Sequence, residues 1–269
     1  MIRRIFKIWS GERLETFVYN EITAEHLHRY SIAQNFVDGR KVLDIACGEG
    51  YGSQLLSQKA AHVTGVDVDS NIIKKAARKY KKGTLHFLVG DAANIPCPDN
   101  DFDVVVSFET IEHLDDQEAA LVEMVRVLRS DGLLILSTPN KDFRQKDAIP
   151  DNPYHKKELS SDELKQLLQN KFQQIKILFQ YPGYHSLITT ASTNPLESYS
   201  GNYERVEKET ASVPAYLLAV CSNKAIPEIN TSLFNSSLLI AEGIKKNITY
   251  KVGNIFTGTI REIRNLFNK

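Results

Sequence analysis

The chain has 269 residues, 42% hydrophobic and 25% charged, enough to bury a sizeable core and too apolar for a disordered segment. Its 33 basic and 33 acidic residues cancel to a formal net charge of +0, so no overall field recruits nucleic acid. No apolar run approaches the roughly 20 residues that span a bilayer, no signal-peptide pattern is present, and the three cysteines, Cys47, Cys97 and Cys221, lack metal-pair spacing. A cytoplasmic protein with buried thiols is the expectation.

Residues 1–39 read as a polar, helical cap, with an acidic and aromatic stretch from Glu12 to Tyr30. From Lys41 strands alternate with helices, the pattern of a parallel sheet covered on both faces. Strands are expected at Lys41–Ala46, His62–Asp67, Leu85–Val89, Phe102–Phe108 and Gly132–Thr138. Helices are expected at Gly52–Gln58, Ser70–Lys81 and Gln117–Leu128, the last closed by Asp131-Gly132. Pro139 then opens a polar loop, Asn140 to Lys157. Ser160 to Glu163 is a helix start, with Leu164, Leu167 and Leu168 as its buried stripe, and Lys171–Phe179 alternates as a strand. Residues 181–213, rich in Gly, Ser, Thr, Asn and Tyr, read as a loop or lid on the acceptor side. Tyr216–Val220 supplies a last strand and completes a domain over 40–222. Residues 223–269 read as a tail with no place in the sheet.

The chemistry begins at Val42 to Gly52, a buried strand, a glycine-rich turn and a helix start, followed by a strand that ends in Asp67. One βαβ unit of this kind lets the backbone approach a ligand closely and sets a carboxylate at the next strand end, which suits a nucleoside-containing cofactor. Ala46, Gly48, Gly50 and Gly52 alternate instead of following the G-x-G-x-x-G register, which argues against hydride transfer.

Further motifs follow in order: Gly90-Asp91-Ala92, Phe102 to Ser107, Glu109-Thr110-Ile111-Glu112-His113-Leu114, and Glu123 to Leu128 before Asp131-Gly132. With the glycine turn and Asp67 they resemble the class I S-adenosylmethionine-dependent methyltransferases over roughly Glu25 to Asn223. The resemblance implies a doubly wound, mostly parallel seven-stranded sheet of the Rossmann-like methyltransferase fold, with helices on both faces and an antiparallel final strand beside the fifth. It implies S-adenosylmethionine as cofactor and no metal. Ala46, Cys47, Gly48 and Gly50 would cradle its methionine and ribose portions, and Asp67, next to Val68, would bind the ribose hydroxyls. Asp91 would accept from the adenine amine, the Ala92 amide would donate to the ring, and Phe108 belongs to the same pocket. Asp44 either faces the cofactor's amino group or holds the glycine loop. Arg29 and Tyr30 either meet the cofactor's carboxylate or belong to the surface of a docking helix. Ala46 stands where the family usually has a glycine, a harmless change unless the backbone there needs a positive φ.

A sulfonium methyl is already activated, so alignment does most of the work, worth up to roughly 7–11 kcal/mol. A hydroxyl acceptor also benefits from a general base, for which His113 is the candidate, its alternative being a loop scaffold. Glu109 is expected to face cofactor or acceptor, and Glu112 to be solvated or to cap a helix. The phrase Asn152-Pro153-Tyr154-His155, with Glu158-Leu159-Ser160 and Glu163-Leu164, resembles a subgroup accompanying bacterial surface-polysaccharide synthesis, as does Glu25 to Tyr30. There His155 is an acceptor contact or base, or a loop scaffold. Tyr181, Tyr184, Tyr199 and Tyr203 offer faces to a sugar ring or pack internally. The expected partner is a small-molecule or glycan acceptor, a sugar hydroxyl above an amine, with no nucleic acid; an amine or natural-product methyltransferase and a non-catalytic cofactor-binding protein are the alternatives. Met1–Trp9 and the tail from Lys245, where Ile260, Ile263, Leu266 and Phe267 fall near one helical face, suit either the inner face of a membrane or packing against the domain itself or a second subunit of a homodimer.

Overall fold

Strands β1 (Lys41–Ile45), β2 (His62–Asp67), β3 (Leu85–Val89), β4 (Phe102–Phe108) and β5 (Leu128–Pro139) run parallel, in the spatial order β5-β4-β1-β2-β3. This computed structural model describes residues 14, 16, 19–143, 152–183, 185–191, 199–201, 203, 205–208 and 213–246. The basic and apolar residues 1–9, the tail residues 247–269 and Tyr184 lie outside them. The described α-helices are α1 (Glu21–Ala33), α2 (Tyr51–Leu56), α3 (Ser70–Lys79), α4 (Gln117–Val127), α5 (Ser161–Gln169) and α6 (Ser237–Lys246), with short 3-10 turns at Gln34–Phe36 and Ile111–His113. No described helix is long and apolar enough to cross a membrane.

Alternation along the central strands sorts the core. Val42, Val104 and Val106 pack with Tyr30, Ala33, Phe36 and Leu56 on the α1 and α2 side. Leu43, Ile45 and Val105 pack with Leu121, Met124, Leu164 and Leu168 on the α4 and α5 side. Burying both faces explains why β4 reads as a near-continuous apolar run. Asp116 caps α4 through the Ala119 amide, and Ser160 and Glu163 form a reciprocal capping box on α5.

The carboxy-terminal half departs from expectation. Among the described residues the sheet gains β6 (Gln174–Tyr181), β7 (Ser186–Thr189), β10 (Tyr216–Ser222) and β11 (Ser232–Phe234), nine strands in the order β11-β7-β6-β10-β5-β4-β1-β2-β3. Strand β10 runs antiparallel between β5 and β6. The stretch read as a lid contains β7, every residue of which is buried, and the tail contains β11, antiparallel to β7. These strands are four and three residues long, too short for alternation to betray them. A separate pair, β8 (Tyr199–Gly201) and β9 (Val206–Lys208), lies in the same stretch. The fifth strand also starts earlier than expected: Leu128 is already extended (ψ 138°) and pairs with Phe102 before a register shift.

Candidate active site

Strand order reverses at β1, between β2 on one side and β4 on the other, and ligands of open α/β sheets collect beyond the strand ends there. A cavity of about 400 Å³ opens at that place. Its wall includes the turn Ala46-Cys47-Gly48, then Asp67 and Val68 after β2, Asp91 and Ala92 after β3, and Phe108 and His113 after β4. Tyr30 of α1 also lines it. Ten of the residues expected at the site therefore converge.

The turn is fixed by hydrogen bonds from its own backbone. The Cys47 amide donates to the Val66 carbonyl (3.0 Å), Gly48 to Asp67 Oδ2 (3.0 Å) and Gly50 to the Cys47 carbonyl (3.0 Å). Asp67 Oδ1 accepts from the Asp69 amide (2.9 Å), so its carboxylate is held in place while lining the cavity. Gly48 (φ 53°) and Gly50 (φ 79°) adopt left-handed backbone, and a Cβ on Gly50 would lie 2.6 Å from the Phe87 ring. Ala46 is left-handed as well, at φ 56°. The expectation that alanine is harmless here is thus corrected: the turn demands the conformation that glycine adopts without strain.

Asp44 does not line the cavity. It is fully buried and accepts from Ser53 Oγ (2.6 Å) and Tyr30 Oη (3.3 Å). Burial raises its carboxyl to about 7, against the opposing hydrogen bonds from Ser53 and Tyr30. Tyr30 is edge-on to both Tyr51 and Phe108. It occupies the space that a side chain at position 52 would fill, since a Cβ on Gly52 would lie 1.9 Å from its ring. Asp91 Oδ1 accepts from the Ala93 amide (2.8 Å), shaping a turn while facing the cavity.

Arg29 and Glu109 are corrected together. Arg29 is fully buried, with Nη1 3.2 Å from Glu109 Oε1, Nε donating to Gln180 Oε1 (2.7 Å), and its guanidinium 4.2 Å above the Tyr216 ring. Neither Arg29 nor Glu109 is on the cavity wall, because a buried guanidinium holds its counter-charge inward. Glu109 also accepts from Ser137 Oγ (2.7 Å) and has left-handed backbone, φ 49°. Glu112, expected in solvent or at a helix end, is fully buried: Oε2 accepts from Thr138 Oγ1 (3.2 Å) and Oε1 has no hydrogen-bond partner. Burial, reinforced by Glu109, pushes its carboxyl well above the ordinary range.

His113 Nδ1 lies 3.0 Å from the Tyr154 carbonyl, which can only accept, so Nε2 carries the lone pair. His155 is not on the cavity wall but packs edge-on against His113, ring centroids 4.9 Å apart. Sequence reasoning missed His26, Tyr51, Thr110 and Tyr154 on the wall. His26 Nδ1 lies 3.0 Å from Tyr51 Oη, a pairing across distant sequence that no motif announces. Of the four tyrosines proposed to face a sugar, Tyr181 is buried in the core and Tyr203 is exposed.

A family model described as "Methyltransferase domain" matches residues 43–136. A probable S-adenosylmethionine-dependent methyltransferase of Mycolicibacterium smegmatis is 41% identical over 132 residues, 49% of this chain and 51% of that protein. An O-methyltransferase of Aspergillus nomiae is 31% identical over 178 residues, 60% of this chain and 75% of that protein. The chain thus spans about half the length of the first relatives it matches, and three quarters of the fungal one. Among solved structures, the YcgJ protein of Bacillus subtilis superposes with a TM-score of 0.56 at 17% identity, covering 74% of this chain and all of that one. That likeness is one of fold.

Proposed function

This chain belongs to the class I S-adenosylmethionine-dependent methyltransferases, and we propose that it transfers the donor's methyl group to an oxygen of a small or glycan acceptor, a sugar hydroxyl before others. One observation carries the reading: Asp67, the turn Ala46-Cys47-Gly48 with Gly48 at φ 53°, Asp91 and His113 share the wall of one cavity at the sheet's switch point, while Gly50 stands behind the turn and off the wall. Small residues in the turn admit the methionine and ribose portions, Asp67 accepts from the ribose hydroxyls, and the Ala92 amide and Asp91 meet the adenine. Asp44 acts by holding Tyr30, which lines the cavity.

When bound, the donor supplies an electrophilic methyl on sulfonium. The chain's part is to align the acceptor in line with it and to manage the acceptor's proton. His113, with Nε2 carrying its lone pair, is the candidate on the cavity wall. Oxygen is favoured over nitrogen by the fungal relative's designation as an O-methyltransferase. The glycan preference is supported by the Asn152 to His155 phrase, whose Tyr154 lines the cavity. All three cysteines are free thiols, which supports a cytoplasmic location.

Calorimetric titration with S-adenosylhomocysteine tests the donor half. Binding is expected, and Asp67→Ala should weaken it at least about tenfold, the loss of hydrogen bonds to a charged acceptor. Folded protein with no heat or thermal shift at millimolar ligand would sink the reading. Radiolabelled methyl transfer to glycan, lipid and amine acceptor panels decides the other half.

A further inference from the structure

We propose that Glu112, His113 and His155 form a binding site for one divalent first-row transition cation at the acceptor end of the cavity. One ligand atom from each lies within 4.8 Å of the others. Nε2 of His113 is 3.8 Å from Glu112 Oε1, and the two imidazoles meet edge to face. Among the described residues no other His, Cys, Asp and Glu side chains converge in this way. Two imidazoles and a carboxylate suit Mn²⁺, Fe²⁺, Co²⁺ or Zn²⁺ better than Mg²⁺ or Ca²⁺, which take oxygen ligands. Metal–ligand bonds of about 2.0–2.2 Å require the three side chains to draw together by about an ångström on loading.

Two observations independent of spacing point the same way. Glu112 Oε1 is buried without a hydrogen-bond partner, in a side chain 1% exposed, and it is the Glu112 oxygen paired with His113 Nε2 at 3.8 Å. A stranded acceptor of this kind is costly, and a cation beside it removes the cost. Behind each imidazole stands an oxygen: the Tyr154 carbonyl 3.0 Å from His113 Nδ1, and Glu158 Oε1 2.5 Å from His155 Nδ1. These fix the Nδ1 protons and leave both Nε2 atoms with lone pairs, the arrangement that orients ligating histidines. Asn152 Nδ2 now donates to His155 Nε2 (3.0 Å), and the cation takes its place.

His113 and Tyr154 line the cavity, so positions of the cation not filled by protein open toward the acceptor. A hydroxyl oxygen held there gives its proton to solvent at a lower pH than a free hydroxyl. That oxygen then forms the new bond to the methyl carbon as the carbon–sulfur bond breaks, and sulfur keeps the electron pair. His113 serves as a ligand in this scheme and the cation replaces it as the agent of deprotonation. The catalytic half rests on the proposed function; cation binding does not.

The test uses the full chain, stripped with chelator and titrated without donor or acceptor, by calorimetry with Mn²⁺ and by visible absorption with Co²⁺. One equivalent should bind, with affinity reduced about tenfold or more by His155→Ala and by the isosteric Glu112→Gln. Folded wild-type protein that binds neither ion at about 1 mM, or variants that bind as the wild type does, would overturn the site. Should the variants misfold, nitrogen couplings in the Mn²⁺ electron spin-echo spectrum of the wild type decide: imidazole couplings support the site, and their absence removes it. Titrating the same stripped protein with S-adenosylhomocysteine keeps the two readings apart. Donor binding without cation binding ends this proposal alone; cation binding without donor binding ends the methyltransferase reading and the catalytic half with it, and leaves the cation site standing.

Discussion

Ala46 shows how one residue can satisfy a motif and still strain it. An L side chain at φ 56° costs roughly 1–2 kcal/mol, of which glycine's greater freedom in the unfolded chain gives back about 0.5–1. Ala46→Gly is therefore expected to stabilise the fold by roughly 0.5–1 kcal/mol, read as a higher urea midpoint at unchanged slope. A lower midpoint would mean that Ala46 makes contacts worth more than its strain. The residues legible in the sequence at this scale, Asp67 and Gly48 above all, belong to short local motifs whose partners follow within one βαβ unit. Arg29, Glu109 and Glu112 were misread because their surroundings come from strands far along the chain: Gln180, Ser137 and Thr138 decide where they point.

Helix α1 illustrates the element scale. Its periodicity announced a helix, but not that His28 would bridge two strands, with Nδ1 3.0 Å from Ser186 Oγ of β7 and Nε2 2.9 Å from Ser232 Oγ of β11. Burial, helped by the nearby Arg29 charge, lowers this imidazole from 6.5 to about 4. Between those values the unfolded chain binds a proton that the folded chain refuses, so stability rises with pH across the window and is lost as pH falls through it. From pH 7 to pH 5 the loss assigned to His28 is about 2 kcal/mol. Chemical denaturation at both pH values should show His28→Gln with a pH dependence smaller by about that amount; an unchanged difference would show that His28 titrates normally. β7 and β11 were illegible for a related reason, since four-residue and three-residue strands earn their place through such side-chain ties and not through pattern.

For the whole molecule, the alternation of strands and helices from β1 to β5 made the fold class readable, and the nine-stranded outcome extends it at one edge. Protection from amide exchange should follow position in that sheet. The slowest amides are expected in β1, β4 and β10, which are buried almost throughout, and faster exchange in the edge strands β3 and β11. Uniform protection across the sheet would contradict this gradient. The antiparallel insertion of β10 has a consequence for synthesis. The chain makes β1 to β5 first, nearly the span that the family model matches, yet the partner for the outer edge of β5 is residues 216–222. Until those residues leave the ribosome, the longest strand of the sheet has one bare edge of unpaired amides and carbonyls. The nascent protein is thus most open to mispairing, and most in need of a chaperone, during translation of β6 to β9.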